Sequence, residues 1–136
     1  MPDCIFCKIA AHEIPSHIVR EDEQFIVIAD IKPVNPGHLL IIPKDHVEVV
    51  FAMDDARYAE AFAIAKRLSD PLRRATDAAK IGIAVEGFGV DHAHIHLIPL
   101  HGPHELNPDR AQPADQEDLA AMVEKIKKEM TVKHAE

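Results

Sequence analysis

Apolar and polar positions repeat with two different periods along this chain, and the changes of period divide it into elements. His17–Arg20 and Phe25–Asp30 (FIVIAD) read as strands flanking the polar turn Glu21–Gln24, and His38–Pro43 (HLLIIP) is a third apolar run. Ile31–Gly37 (IKPVNPG) is a loop, punctuated by Pro33, Pro36 and Gly37. Strand, turn, strand, loop, strand predicts an antiparallel meander. Ahead of it, Cys4–Ile14 predicts a short helix that Pro15 ends. From Asp54 the period lengthens: Tyr58, Ala61, Phe62, Ala65, Leu68, Leu72 and Ala75 form one buried helical stripe. Pro71 falls inside it. Either the helix kinks there, or Ser69 or Asp70 caps a new helix with Pro71 in its first turn. Ile81–Glu86 (IGIAVE) and His92–Leu100 (HAHIHLIPL) return to strand patterning, and Gly87-Phe88-Gly89 between them is short enough for a hairpin. His101–Pro113 is irregular. A last helix runs from about Asp115 to Met130 on the stripe Leu119, Met122, Val123, Ile126 and Met130. The expected fold is α+β: a five-stranded antiparallel sheet with a long central helix and a C-terminal helix.

Composition narrows the function. The length of 136 residues is that of one domain, taken as 1–136 with a core of about 4–100 and a C-terminal helix and tail over 115–136. A formal net charge of −8 argues against nucleic-acid polymers as partners, because counterion release needs a basic surface. The runs Phe25–Ala29 and Leu39–Ile42 are too short to cross a bilayer, so no membrane partner is expected. The start MPDCIFCKIA lacks the basic stretch and long apolar segment of a secretory signal. Two cysteines do not make a disulfide scaffold. A cytoplasmic protein is the expectation.

The unusual number is histidine, ten in 136 residues. On a strand, His92, His94 and His96 share a face, while Ala93, Ile95 and Leu97 turn to the core. Imidazole can be a neutral nucleophile, a general acid or a metal ligand near neutral pH. The bland alternative is a solvated polar face with incidental histidines, and the strand His38–Pro43, which begins with His38 and is followed by His46, speaks against it. His12 and His17 are expected on the surface, His101 and His104 in a loop, and His134 in a fraying tail. Lys125, Lys127 and Lys128 near the end of the last helix complement its dipole.

In order and spacing, CIFCKI, EIPSHIV, Asp30-Ile31, GHLLIIPKDH and HAHIHLIP resemble the histidine triad (HIT) superfamily, more closely its HINT-like branch of nucleotide hydrolases and transferases. The resemblance covers Cys4 to about Leu100. It implies that His94 is the nucleophile and forms a nucleotidyl-imidazole intermediate at an α-phosphorus. It implies that His96 contacts phosphate oxygens and the leaving group, and that His38 sits in the same hydrogen-bonded cluster. Asp30 matches the family's ribose-binding acid and Ile31 an apolar residue against the purine; without the resemblance, Asp30 reads as an ordinary turn-starting Asp. The implied substrate is a purine nucleoside phosphoramidate, an adenylate or a dinucleoside polyphosphate. The alternative is a nucleotide-binding regulatory module with little turnover, or a zinc-stabilised interaction domain. Members of this kind pair as homodimers through the long helix and an adjoining strand.

The chain departs from the family before the triplet. Many members carry Gly-Gln-Ser or Gly-Gln-Thr there; here Phe88 stands where Gln would be and Gly89 where the hydroxyl would be. Phe88 cannot donate a hydrogen bond, and Gly89 offers only its backbone N–H. Slow hydrolysis or a different leaving group is therefore expected. Cys4-Ile5-Phe6-Cys7 is a lone C-x-x-C that needs two further ligands for a tetrahedral site. In metal-bearing relatives the partners correspond to His46 and His92, which implies a structural Zn2+ site on Cys4, Cys7, His46 and His92. Two small buried thiols or a redox pair are the competing readings.

Overall fold

The structure is a computed structural model and describes residues 3–132; His134 lies outside the described residues. Its elements are α1 (Ile5–Ala10), β1 (Ile18–Glu21), β2 (Phe25–Ala29), β3 (Leu39–Pro43), α2 (Asp55–Thr76), β4 (Lys80–Ala84), β5 (Ile95–Leu100) and α3 (Gln116–Thr131), with short 3-10 turns at Val50–Ala52 and Pro108–Arg110. The five strands form one antiparallel sheet in the order β1-β2-β3-β5-β4. The α+β expectation holds.

Strands β2 (FIVIA) and β3 (LLIIP) are buried at every position because both of their faces are covered. On one face Phe25, Val27, Leu39, Ile41, Ile95 and Leu97 meet Ile64, Leu68 and Leu72 of α2 and Leu119, Val123 and Ile126 of α3. On the other, Ile26, Ile28, Leu40 and Ile42 meet Phe6 and Ile9 of α1. That short helix covers only part of this face, and the rest opens into a cavity.

Helix α2 starts where Asp54 accepts the Arg57 N–H at 2.8 Å and ends at Asp77 in the left-handed region, φ 55°. It runs unbroken through Pro71, so no second helix is capped at Ser69 or Asp70. The packing of Leu68, Leu72 and Ala75 into the core outweighs the one backbone hydrogen bond that proline removes.

The segment before β5 differs from expectation. The strand begins at Ile95, not His92, and residues 85–94 form a long loop instead of a hairpin link. The reason is local. The His92 ring is turned towards Cys4, Cys7 and the Pro43 carbonyl, and the Ala93 N–H is given to Val47 O at 2.6 Å. Those bonds hold residues 92–94 away from the sheet ladder. The alternation survives: Ala93, Ile95 and Leu97 are in the main core, while His94 and His96 face the cavity.

Candidate functional site

The open part of the sheet forms the floor of a cavity of about 980 Å3, at the upper end of the range of roughly 300–1,000 Å3 usual for small-molecule sites. The register places Ile28, Leu40, His96 and Ala84 side by side across β2, β3, β5 and β4. His38, His94 and His96 lie together in this cavity with Asp30, Ile31 and Gly89. His92 does not join them. Fully buried, it belongs to a second cluster with Cys4, Cys7 and His46.

Each imidazole tautomer follows from its partner. His94 Nδ1 lies 2.7 Å from the His92 carbonyl oxygen, which can only accept, so Nδ1 carries the hydrogen and Nε2 keeps its lone pair. His38 Nδ1 accepts the Val34 N–H at 3.0 Å, so its hydrogen is on Nε2, which donates to His96 Nδ1 at 2.8 Å. His96 in turn carries its hydrogen on Nε2. The result is one ring with an unprotonated Nε2 beside another with an Nε2–H donor, neither bonded to another of the described residues, their centroids 5.0 Å apart. The edge-on Phe6 ring, 5.0 Å from His94, fixes that ring from the side of α1.

Burial disfavours the protonated form of two of these rings, His38 and His96. His38 is 3% exposed, and desolvation pushes its pKa down from 6.5 to about 4, with His96 acting in the same direction and Asp30 opposing. His96 is lowered too, first by burial and then by His94. Asp30 Oδ1 accepts the Lys32 N–H at 2.9 Å, and Oδ2 lies 3.4 Å from His38 Nε2. Asp30, His38 and His96 bring three donor atoms together. They do not suit a metal ion: with Val34 N–H on Nδ1, His38 could offer Nε2 only as an imidazolate.

The second cluster does suit one. Cys4 Sγ lies 3.3 Å from His92 Nδ1, Cys7 Sγ 3.3 Å from His46 Nδ1 and 3.5 Å from His92 Nδ1. Tetrahedral zinc with ordinary Zn–S and Zn–N bonds requires S···N edges of about 3.6 Å. The His92 Nε2–H is held by Pro43 O at 2.7 Å, which leaves Nδ1 as the ligand atom and orients the ring.

Several residues at the site were not anticipated. Val34 sets the His38 tautomer. His17, expected on the surface, lines the cavity and pairs with Gln116 at 2.7 Å. Leu106, Asn107, Pro108 and Ala111 form one wall. That wall is tied down by buried Asn35, which donates to Pro99 O at 2.7 Å and accepts from Arg110 at 3.0 Å. Neither Asn35, which sits in the Pro- and Gly-rich loop IKPVNPG, nor this wall carries a periodic signal in the sequence. His101 and His104 are exposed, as expected.

The sequence model of the HIT domain family matches residues 11–102. The chain is 39% identical over 97 residues to adenosine 5'-monophosphoramidase HNT1 of Saccharomyces cerevisiae, covering 71% of this chain and 61% of that protein. Its fold is similar to a Hit-like protein from Bartonella henselae, with TM-score 0.84 and 28% identity over 95% of this chain and 97% of that one. It is also similar to a Zn-bound histidine triad family protein from Mycobacterium smegmatis, with TM-score 0.82 and 25% identity over 95% and 94% of the two chains. No helix among the described residues is long and apolar enough to cross a membrane.

Proposed function

The chain belongs to the HIT domain family, and on that premise we propose that it is a nucleotide-binding hydrolase or transferase that cleaves purine nucleoside phosphoramidates at the α-phosphate. Adenylates and dinucleoside polyphosphates are the other substrates open to the same chemistry. The observation that carries the reading is the fixed tautomer of His94, which leaves Nε2 unprotonated in a nucleotide-sized cavity.

In the proposed reaction the His94 Nε2 lone pair forms a bond to phosphorus as the P–N bond to the leaving amine breaks. The amine takes that bond's electron pair and the proton on His96 Nε2. The His92 carbonyl, on His94 Nδ1–H, stabilises the positive charge that grows on the attacking ring. The His38 Nε2–H does the converse for His96 as its proton leaves. Water then returns a proton to His96 and attacks phosphorus through its oxygen. The His94–phosphorus bond breaks and the nucleoside monophosphate departs. Asp30 would accept the ribose hydroxyls, Ile31, 60% exposed, would lie against the purine, and the Gly89 N–H would meet a phosphate oxygen. Release of AMP from adenosine 5'-phosphoramidate, abolished in His94→Ala, is the expected result. Undiminished turnover by that variant would refute the proposal. Tight nucleotide binding without turnover by the parent protein would instead support a regulatory module, a reading favoured by the lack of any side-chain donor on Phe88 and Gly89.

Cys4, Cys7, His46 and His92 would hold a structural Zn2+ that, when bound, ties α1 to the loop before β5. The whole chain would act as one domain, since α3 packs on both α2 and β1 and Gln116 reaches the cavity. A homodimer is supported by β4, an edge strand with Ile83 45% exposed, and by Phe51, 83% exposed and stacked on Tyr58 at the start of α2. Sedimentation should give twice the chain mass, and Ile83→Lys should reduce it. A cytoplasmic location would suit this site, because a reducing compartment keeps Cys4 and Cys7 available as metal ligands.

A further inference from the structure

The strand order separates the two ends of a substrate. Asp30 follows β2, on the β3 side of His96, whereas residues 85–90 leave β4 on the opposite side. With phosphorus over His94 and His96 and the nucleoside towards Asp30, as the reading above has it, the remaining bulky substituent must exit against residues 85–90. That substituent is the leaving group.

The wall it meets has a definite chemistry. Val85 and Val90 are apolar, and the Phe88 ring stands 90% exposed at the cavity's edge. Gly87 takes φ +89°, and nothing crowds Gly87 or Gly89 on either side of that ring. Glu86 adds a carboxylate. Lys32, the one Lys or Arg among the described lining residues, lies at the other end beside Ile31. An aromatic surface next to a negative charge, without a cation, favours a leaving group with an apolar body and disfavours an anionic one.

We propose that residues 85–90, with Phe88 as the platform and Glu86 as the charge filter, select aryl-alkyl amines as leaving groups and reject polyphosphates. Phe88 and Glu86 are thus specificity-determining residues of the proposed phosphoramidase. The test compares kcat/KM for unsubstituted adenosine 5'-phosphoramidate, its N-(2-phenylethyl) derivative and diadenosine tetraphosphate in the parent protein, Phe88→Ala and Glu86→Lys. Because leaving groups differ in intrinsic reactivity, the readout is the change in ratio between proteins. Phe88→Ala should reduce the phenylethyl-to-unsubstituted ratio about five- to tenfold, and Glu86→Lys should raise the tetraphosphate-to-unsubstituted ratio by about the same factor. The phenylethyl derivative should likewise bind His94→Ala protein about five- to tenfold more tightly than the unsubstituted compound, a preference lost when Phe88→Ala is added. Ratios that do not move in either variant would overturn the proposal. Absence of turnover on all three substrates would count against the catalytic reading alone, because the affinity ratio in His94→Ala protein still decides the role of Phe88.

Discussion

Acidification should destabilise the protein through His38, by an amount the geometry sets. The ring is buried, its Nδ1 already accepts the Val34 N–H, and its Nε2–H is given to His96. A second proton would have to enter at Nδ1 against an N–H donor. Burial, with the adjacent His96 ring adding to it, holds the folded pKa down at about 4, against an ordinary 6.5. The folded pKa is the lower of the two, so between these values the unfolded chain binds the extra proton. Stability is fully present above pH 6.5 and falls as pH drops towards 4. At 1.36 kcal/mol per pH unit, the whole window is worth about 3 kcal/mol. Urea denaturation of the parent protein and His38→Gln, near pH 7 and near pH 4.5, isolates this contribution. The parent's stability advantage should shrink by roughly 2–3 kcal/mol on acidification. Loss of metal at low pH affects both proteins and cancels in the difference. An advantage that does not change with pH, or a His38 ring that titrates near 6.5 by NMR, would show that burial does not hold this ring neutral.

Three further outcomes follow from packing and the metal cluster. Ile64 is fully buried in the main core, and Ile64→Ala should lower the unfolding free energy by about 2–5 kcal/mol with an unchanged urea m-value. Gly37 sits at φ +93°, where an added Cβ would lie 2.6 Å from Thr76 Cγ2 and 3.2 Å from Pro99 Cγ. Gly37→Ala should therefore cost about 1–3 kcal/mol by thermal unfolding, and Thr76→Ser should recover only the part due to the clash. Protein purified without chelators should carry one zinc per chain, and chelation should lower Tm by more than ~5 °C; Cys7→Ser should start at the lower Tm and not respond. Equal Tm values with and without chelator would rule out a structural metal.

The sequence made the sheet legible where its period was clean. The apolar runs FIVIA and LLIIP marked β2 and β3 without telling one face from the other, and the stripe from Tyr58 to Ala75 marked the buried side of α2 but missed Ile64. It misplaced the start of β5 because a period-two pattern records which way side chains point, not whether the backbone is paired. His94 and His96 point into the cavity as that pattern requires, yet the bonds of residues 92 and 93 to Pro43 and Val47 delay the ladder to Ile95. The same detour explains why His92 left the row of three for the cysteines. The tautomers were illegible for a related reason: they are set by the main-chain N–H of Val34 and the carbonyls of Pro43 and His92, which no side-chain pattern records. The wall from Leu106 to Ala111 and the His17–Gln116 pair depend on long-range placement of an irregular segment, which has no period to read.

The proposed reaction passes through a covalent bond between His94 Nε2 and phosphorus. The most direct measurement is the intact mass of the protein after brief incubation with adenosine 5'-phosphoramidate and rapid alkaline denaturation, followed by peptide mapping. The expected result is a mass gain of one nucleoside monophosphate less a water, located on His94 and missing from His94→Ala. Turnover with no adduct at any quench time, or an adduct mapped to His96 or His38, would contradict it.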